Sequence, residues 1–156
     1  MASHLRSTSQ RMRQVCFQVL SQSARPDIEA RLRDAGLQPS YAVVKPAEIG
    51  LVMVRGKAQD DGRPFNAGEI TATRCMVRLA SGQVGYGCVA GRDKAHAEIV
   101  AVVDALVQSD EMAERTLDGV ITPLSEQLER RRRATAEEVA ATKAAFFTMA
   151  QARGDD

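Results

Sequence analysis

Apolar residues recur at helical spacing in the first third of the chain. An irregular apolar stripe predicts a first helix over residues 10–22, after a loose polar tail over residues 1–10. A second helix is predicted after it, because Pro26 and Asp27 stand where the first turn of a helix favours both residue types. Gly36 follows as the C-cap that would end this helix.

The pattern changes to β-branched runs in the middle of the chain. Residues 41–44 and 49–54 are two apolar runs separated by Pro46. The segment "EITATRCMVRLASGQVGYGCVA" predicts a β-hairpin that turns at Ser81-Gly82-Gln83. Neither set of alternating side chains in it is wholly polar. We therefore expect a sheet that is covered on one face and partly buried on the other.

The last part of the chain returns to helical periodicity. An apolar stripe over residues 93–109 predicts the best-marked helix, and the composition of residues 125–156 predicts another. Asp118-Gly119 and Pro123 predict a loop or a short strand between the two. The order of helix, helix, strands, helix, helix predicts an α+β fold with a mainly antiparallel sheet, in one domain over residues 11–156.

Composition and charge narrow the class of protein. Hydrophobic residues make up 44% of the 156 residues but aromatic residues only 4%, so the core is expected to be built from aliphatic side chains. A net charge of +1 argues against a nucleic-acid binder. The first residues lack the apolar region of a secretory signal, and no apolar run approaches the roughly 18 residues of a membrane span. We expect a cytoplasmic protein without a membrane partner.

The cysteines and histidines do not suggest a metal site. Cys16, Cys75 and Cys88 are odd in number and have no CxxC spacing, while His4 and His96 lie far apart. Since a structural zinc site needs about four ligands at close spacing, no metal site is predicted. The cysteines are interpreted as free thiols in a reducing compartment.

The segment "GYGCVAGRDKAHAEI" is the best candidate for chemistry. Gly85, Gly87 and Gly91 match neither the dinucleotide fingerprint nor a P-loop, yet a helix N-terminus next to Arg92 and Lys94 would suit an anion. The alternative is that Asp93 is only an N-cap, with Arg92 and Lys94 solvated. The residues alone favour this second interpretation.

His96 and Asp93 are the candidate catalytic residues. A His–Asp pair could orient a general base or make an interface contact, although a helix-surface histidine held by its neighbour is the simpler interpretation. A further hypothesis is a hydrolase that uses Cys88 as nucleophile and His96 as base. The favoured interpretation is that Cys75 and Cys88 are buried, unreactive thiols.

Two further groups of charged residues are candidates for binding a ligand or partner. Glu69 and Arg74 lie in or at the edge of a strand, where they either pair with each other or face a partner or ligand. Residues 130–133 are four consecutive arginines flanked by glutamates, which favours a solvated helix with i,i+4 ion pairs over a phosphate-binding patch.

Several of these segments together resemble the PhnG family, from about residue 13 to residue 154. The resemblance rests on "PFNAGEITATR", "GYGCVAGRDKAHAE", "DAL" and "FFTM", in this order and at family-like spacing. Cys88 and the arginine run depart from the family pattern. The residues of these segments proposed to bind a ligand or partner are Glu69, Arg74, Gly85, Tyr86, Gly91, Arg92, Lys94, His96, Phe146 and Phe147.

The resemblance implies a subunit of the bacterial carbon–phosphorus lyase core complex. Such subunits assemble with PhnI, which is the expected direct partner, and with PhnH and PhnJ. With PhnI, PhnH and the ATPase-like PhnL, the family transfers methylphosphonate to the ribose C1′ of ATP and releases adenine. Because this chain has few catalytic groups, we expect it to bind no cofactor alone, to be inactive in isolation, and to meet ATP only as a substrate of the complex. The alternative is a scaffold or adaptor without contact to substrate.

Overall fold

The structure, a computed structural model, describes the backbone of residues 2–57 and 62–152 and the side chains of residues 10–57 and 62–140. The chain divides into two compact units, Met1–Leu124 and Ser125–Asp156. Apart from residues 125–152 of the last helix, the fold and the candidate residues described below belong to the first unit. The single domain expected over residues 11–156 stays a prediction.

Helices flank an antiparallel sheet in the order that the sequence predicts. The helices are α1 (Ala2–Gln22), α2 (Arg25–Asp34), α3 (Lys94–Val107), α4 (Ala113–Thr116) and α5 (Thr122–Ala152), with a π-helical turn over Leu117–Ile121. The strands are β1 (Tyr41–Lys57), β2 (Pro64–Leu79) and β3 (Val84–Ala90), in the sheet order β1-β2-β3. This arrangement confirms the α+β fold, and β2 and β3 confirm the predicted hairpin around Ser81-Gly82-Gln83.

Helix α2 shows that its capping signals act as predicted. Pro26 lies in its first turn, and Gly36 adopts a φ of 64° just after its end. The amide of Gly36 donates to the carbonyl of Arg33, and the amide of Leu37 donates to the carbonyl of Leu32 at 2.9 Å. These two hydrogen bonds form a Schellman motif, in which glycine supplies the left-handed residue without steric cost.

Three segments differ from the sequence predictions. Residues 2–10 are helical and not a loose tail, because α1 begins at Ala2. The predicted loop or strand at Asp118-Gly119 is instead part of a π-helical turn. Glycine at position 119 lets this turn pack against the end of α2, since a Cβ there would lie 2.8 Å from the Cβ of Ala35. The two apolar runs before Asp60 form one strand, which accommodates Pro46 through register shifts between Val43 and Glu48.

The core lies where α3 packs on one face of the sheet. Alternate side chains of β2, from Thr73 to Leu79, are buried on that face, and the intervening Arg74 and Arg78 are exposed. The fully buried residues of the core are aliphatic or small, as the composition predicts. The largest of them are Leu20, Ile28, Leu106, Leu124, Val77, Val89, Val100, Val103 and Val120.

The far ends of β1 and β2 continue beyond β3 as a two-stranded ribbon. Strand β3 pairs only with the segment of β2 from Ala72 to Arg78. Residues 51–57 of β1 therefore pair with residues 64–71 of β2 without a third strand. We call these two segments the ribbon. A two-stranded ribbon is marginally stable on its own, because it has no core to cover its faces.

Candidate functional site

The start of α3 is held by hydrogen bonds to its own backbone and to β2. Asp93 is the N-cap, and its carboxylate accepts from the amide of His96 at 2.9 Å. The amide of Gly91, which has a φ of 93°, donates to the carbonyl of Thr71, and the hydroxyl of Thr73 donates to the carbonyl of Gly91. The N-cap interpretation of Asp93 is therefore confirmed, since the carboxylate satisfies a helix amide.

The side chain of His96 points to α1 and not to a carboxylate. Its Nε2 atom lies 3.4 Å from the carbonyl oxygen of Leu20, and the ring is half-buried. The carboxylate of Asp93 also lies 3.6 Å from Nε of Arg25, which forms an ion pair with Glu29. His96 and Asp93 thus bind different groups, so this geometry is that of a helix junction and not of a general-base dyad.

The glycines of β3 make room for α3. A Cβ on Gly85 would lie 1.9 Å from the carbonyl oxygen of Ala101, and one on Gly87 would lie 1.9 Å from that of Ala97. The space beside these glycines is filled by helix backbone, so it does not form a phosphate cradle. Arg92 and Lys94, which stand next to the helix start, are exposed.

Asp104 organises the junction of α1, α3 and β3. Its carboxylate lies in the apolar helix α3, is 6% exposed, and accepts from Nε and Nη2 of Arg13 at 3.1 and 2.7 Å. It also accepts from the amide of Tyr86 at 2.9 Å and from the side chain of Gln108 at 3.3 Å. These bonds satisfy a buried charge and cap the free edge of β3. The hydrogen bond to Asp104 raises the pKa of Arg13 further.

Two aromatic rings lie next to this ion pair. Phe17 of α1 and Tyr86 of β3 stack with ring centroids 6.3 Å apart and an angle of 13° between the planes. Burial raises the pKa of the Tyr86 phenol, and the thiol of Cys88 next to it adds to the effect. A groove of about 720 Å³ opens beside the rings, the ion pair and a row of glutamines on α1.

Glu69 and Arg74 do not pair with each other. They are five positions apart on a continuously paired segment of β2, so they lie on opposite faces of the sheet. Glu69 lies opposite Met53, and Arg74 lies opposite Glu48 on one side and Cys88 on the other. Both stay available to face a partner or ligand.

The cysteines do not assemble a nucleophilic site with His96. Burial raises the pKa of Cys75 to about 11 and also raises that of Cys16, so both are inert thiols. Cys88 is half-buried and lies on the sheet face opposite α3, because Gly87 and Val89 point towards that helix. Since His96 belongs to α3, the hypothesis of a Cys88–His96 hydrolase has no support in the geometry.

The ribbon exposes apolar side chains on both faces, which the sequence analysis did not foresee. Leu51 and Met53 on one face are 64% and 49% exposed, and Val54 and Ile70 on the other are 37% and 45% exposed. Phe65 near its end is 52% exposed. The signal in the sequence was the unbroken apolar run over residues 49–54, which is typical of a strand buried on both faces.

The second unit carries two further groups of candidates. Arg130 and Arg132 lie 3.9 and 2.9 Å from Glu126 and Glu129 in exposed ion pairs, which confirms the solvated helix predicted there. Phe146 and Phe147 belong to α5, but their side chains lie outside the described residues.

The described residues contain neither a membrane-spanning helix nor a metal-binding cluster. Within residues 2–57 and 62–152, no helix combines the length and the apolar character that a bilayer span requires. The described side chains, those of residues 10–57 and 62–140, bring together no group of three or more histidine, cysteine or acidic residues that could hold a metal ion.

Comparison with known proteins identifies the family. Residues 11–154 match the family described as "Phosphonate metabolism protein PhnG". The chain is also 46% identical over 120 residues to the alpha-D-ribose 1-methylphosphonate 5-triphosphate synthase subunit PhnG of Rhizobium meliloti (strain 1021). That alignment covers 76% of this chain and 74% of the relative. The family match spans all of the segments on which the resemblance was based, and the chain therefore belongs to the PhnG family of phosphonate metabolism proteins.

Proposed function

We propose that this chain is a non-autonomous subunit of an enzyme that makes ribose 1-methylphosphonate 5-triphosphate, and that it acts through PhnI. PhnH, PhnJ and PhnL are the further protein partners, in the cytoplasm. The name of the relative from Rhizobium meliloti supports the reaction, and the family match supports the pathway. The isolated chain is inactive, since the candidate catalytic pair, His96 and Asp93, is used to join helices.

In the proposed reaction a phosphonate oxygen attacks the ribose C1′ of ATP. The new C1′–O bond forms as the C1′–N bond to the base breaks. The bonding electron pair leaves with the ring nitrogen, which takes up a proton to give adenine. The triphosphate stays on the ribose. The subunit contributes by completing the enzyme and not by supplying a metal or a covalent nucleophile.

The exposed apolar surface of the ribbon is the main structural support for this proposal. Leu51, Met53 and Ile70 expose apolar surface on two opposite faces of an unsupported hairpin. A lone apolar strand pair is an aggregation hazard unless another chain covers it. PhnI, as the expected direct partner, would clasp the ribbon on both faces. This contact would also supply the burial that two strands cannot give each other.

Co-expression of this chain with PhnI, PhnH and PhnL tests the proposal. We expect adenine release from ATP and methylphosphonate with the chain present and none without it. The double variant Leu51→Lys/Met53→Lys should abolish both co-purification with PhnI and adenine release. Val15→Lys is the matched control, because Val15 is 53% exposed on a helix outside the ribbon. Adenine release that proceeds equally well without this chain would refute the role in transfer.

A scaffold without substrate contact is the second candidate function. It is favoured by the internal hydrogen bonds of Asp93 and His96, which leave no assembled catalytic group among the described side chains. Arg92→Ala and Lys94→Ala discriminate between the two, since both residues are exposed beside the start of α3. If the complex assembles but adenine release falls, these residues contact the site. If release is unchanged, the scaffold is supported.

A further inference from the structure

The groove beside α1 is open to solvent and combines polar with aromatic lining residues. Its volume of about 720 Å³ lies in the range of roughly 300–1,000 Å³ that is usual for small-molecule sites. One wall is the side of α1 next to its buried stripe. The other walls are Tyr86 of β3 and Asp104 of α3. Three secondary-structure elements therefore fix the walls.

The groove offers flat apolar surface on one side. Phe17 and Tyr86 stack nearly parallel, and both rings line the groove. Aromatic side chains of this kind are platforms on which a planar heterocycle can stack. Phe17 is half-buried and Tyr86 is 40% exposed, so ring surface remains open to a ligand.

The α1 wall, which also carries Phe17, offers amides. Gln10, Gln14 and Gln18 lie four residues apart on α1, so their side chains form a row along the groove. No hydrogen bond from another described residue reaches these three side-chain amides. Each amide presents one donor and one acceptor side by side, which is the pattern that pairs with the edge of a nucleobase.

The electrostatics of the groove select an uncharged ligand. Its charged lining residues are Arg13 and Asp104, which neutralise each other through two hydrogen bonds. A phosphate group would find no uncompensated cation here, whereas a neutral heterocycle would not have to displace the ion pair.

We propose that this groove binds an uncharged planar heterocycle of the nucleobase class, stacked beside Phe17 and Tyr86 and hydrogen-bonded by the glutamine amides of α1. The assignment goes beyond the proposed function and does not rest on it, because the site lies wholly within this chain. A failure of complex assembly or of adenine release would leave it intact.

Amide resonances of the full chain, followed by NMR during titration with adenine, test the assignment. We expect millimolar adenine to shift the resonances of Gln14, Phe17 and Tyr86, and inorganic triphosphate to leave them in place. Gln14→Met keeps the length of the side chain and removes its polar atoms. It should weaken adenine binding about tenfold, as expected from the loss of about 1.4 kcal/mol.

Gln22→Met is the matched control, because Gln22 lies on the same helix outside the groove. It should bind adenine as the unmodified chain does. Tyr86→Leu provides a second variant and should also weaken binding about tenfold, since it removes a stacking ring. Shifts confined to other resonances, equal affinity in Gln14→Met and Gln22→Met, or no shift at millimolar adenine would each overturn the proposal.

Discussion

The two ends of strand β2 differ in what covers them. At one end, Val77 and Leu79 are buried under α3, and the glycines of β3 let the helix backbone approach closely. At the other end, the ribbon has similar apolar side chains, but Leu51 is 64% exposed. Apolar composition therefore does not by itself determine which side chains are buried. The difference lies in whether another element of this chain covers the strands, and among the described residues α3 covers only one end.

The largest effect is expected where helix and sheet are closest. Gly87→Ala would place a Cβ 1.9 Å from the carbonyl oxygen of Ala97, and we expect it to lower the free energy of unfolding by about 3 kcal/mol or more. Denaturant unfolding measures the change. Gly50→Ala is the control, since its Cβ would only meet Nη2 of Arg74 at 3.5 Å. Equal effects of the two substitutions would contradict close packing as the role of Gly87.

The next largest effect is expected from loss of the ion pair between Asp104 of α3 and Arg13 of α1. Asp104→Ala leaves Arg13 and the amide of Tyr86 without their acceptor, and should cost about 3 kcal/mol of unfolding free energy. Thermal or denaturant unfolding gives the value. The double variant Arg13→Met/Asp104→Leu should cost less than the sum of its single variants. Strict additivity would show that the two side chains do not interact.

Truncation of one side chain at each end compares the ends directly. Val77→Ala at the covered end should cost about 2 kcal/mol, because Val77 is fully buried. Leu51→Ala in the ribbon should change the stability of the isolated chain by less than about 0.5 kcal/mol. Denaturant unfolding of both variants measures the two changes in the free energy of unfolding. A large loss for Leu51→Ala would mean that the ribbon is already packed without a partner.

The rate of thiol alkylation should differ between the two faces of the sheet where α3 covers it. Cys75 and Cys16 are each 1% exposed, whereas Cys88 on the open face is half-buried. We expect Cys88 to be alkylated at neutral pH at least about tenfold faster than the other two. Mass spectrometry of the alkylated chain measures the rates, and Cys88→Ser should remove the fast reaction. Because burial raises the pKa of Cys75 to about 11, its rate should rise only as the pH approaches that value.

The smallest effect concerns Tyr41, which begins β1. Its hydroxyl donates to Glu98 at 2.7 Å, and this hydrogen bond together with burial raises the pKa of Tyr41 from 10.0 to about 12. The folded state thus retains a proton that the unfolded chain releases. The resulting stabilisation is complete below pH 10 and is lost as the pH rises through about 12.

Phenolate absorbance measures this titration. Glu98→Ala should move the pKa of Tyr41 back towards 10, and Tyr41→Phe should remove the step that belongs to it. A folded chain in which Tyr41 already titrates at its ordinary value would contradict the hydrogen bond.

The sequence by itself determined several of the local elements and the family. The signals around Pro26, Gly36, Ser81-Gly82-Gln83 and Asp93 predicted a helix start, a helix end, a turn and an N-cap, and each is present. These features depend on backbone preferences and on hydrogen bonds between residues a few positions apart. Such interactions can be inferred from neighbouring letters of the sequence. The family followed from the order and spacing of several motifs.

Only the tertiary structure decided how these elements meet. Arg13 and Asp104 are 91 positions apart, so their ion pair and the groove beside it could not be inferred from spacing. The spacing of the glycines in β3 left their role open, and only the structure shows that Gly85 and Gly87 admit the backbone of α3. The apolar run over residues 49–54 predicted a strand, but not that it would stay uncovered. Burial is a property of the whole fold, since it depends on which distant segment arrives to exclude water.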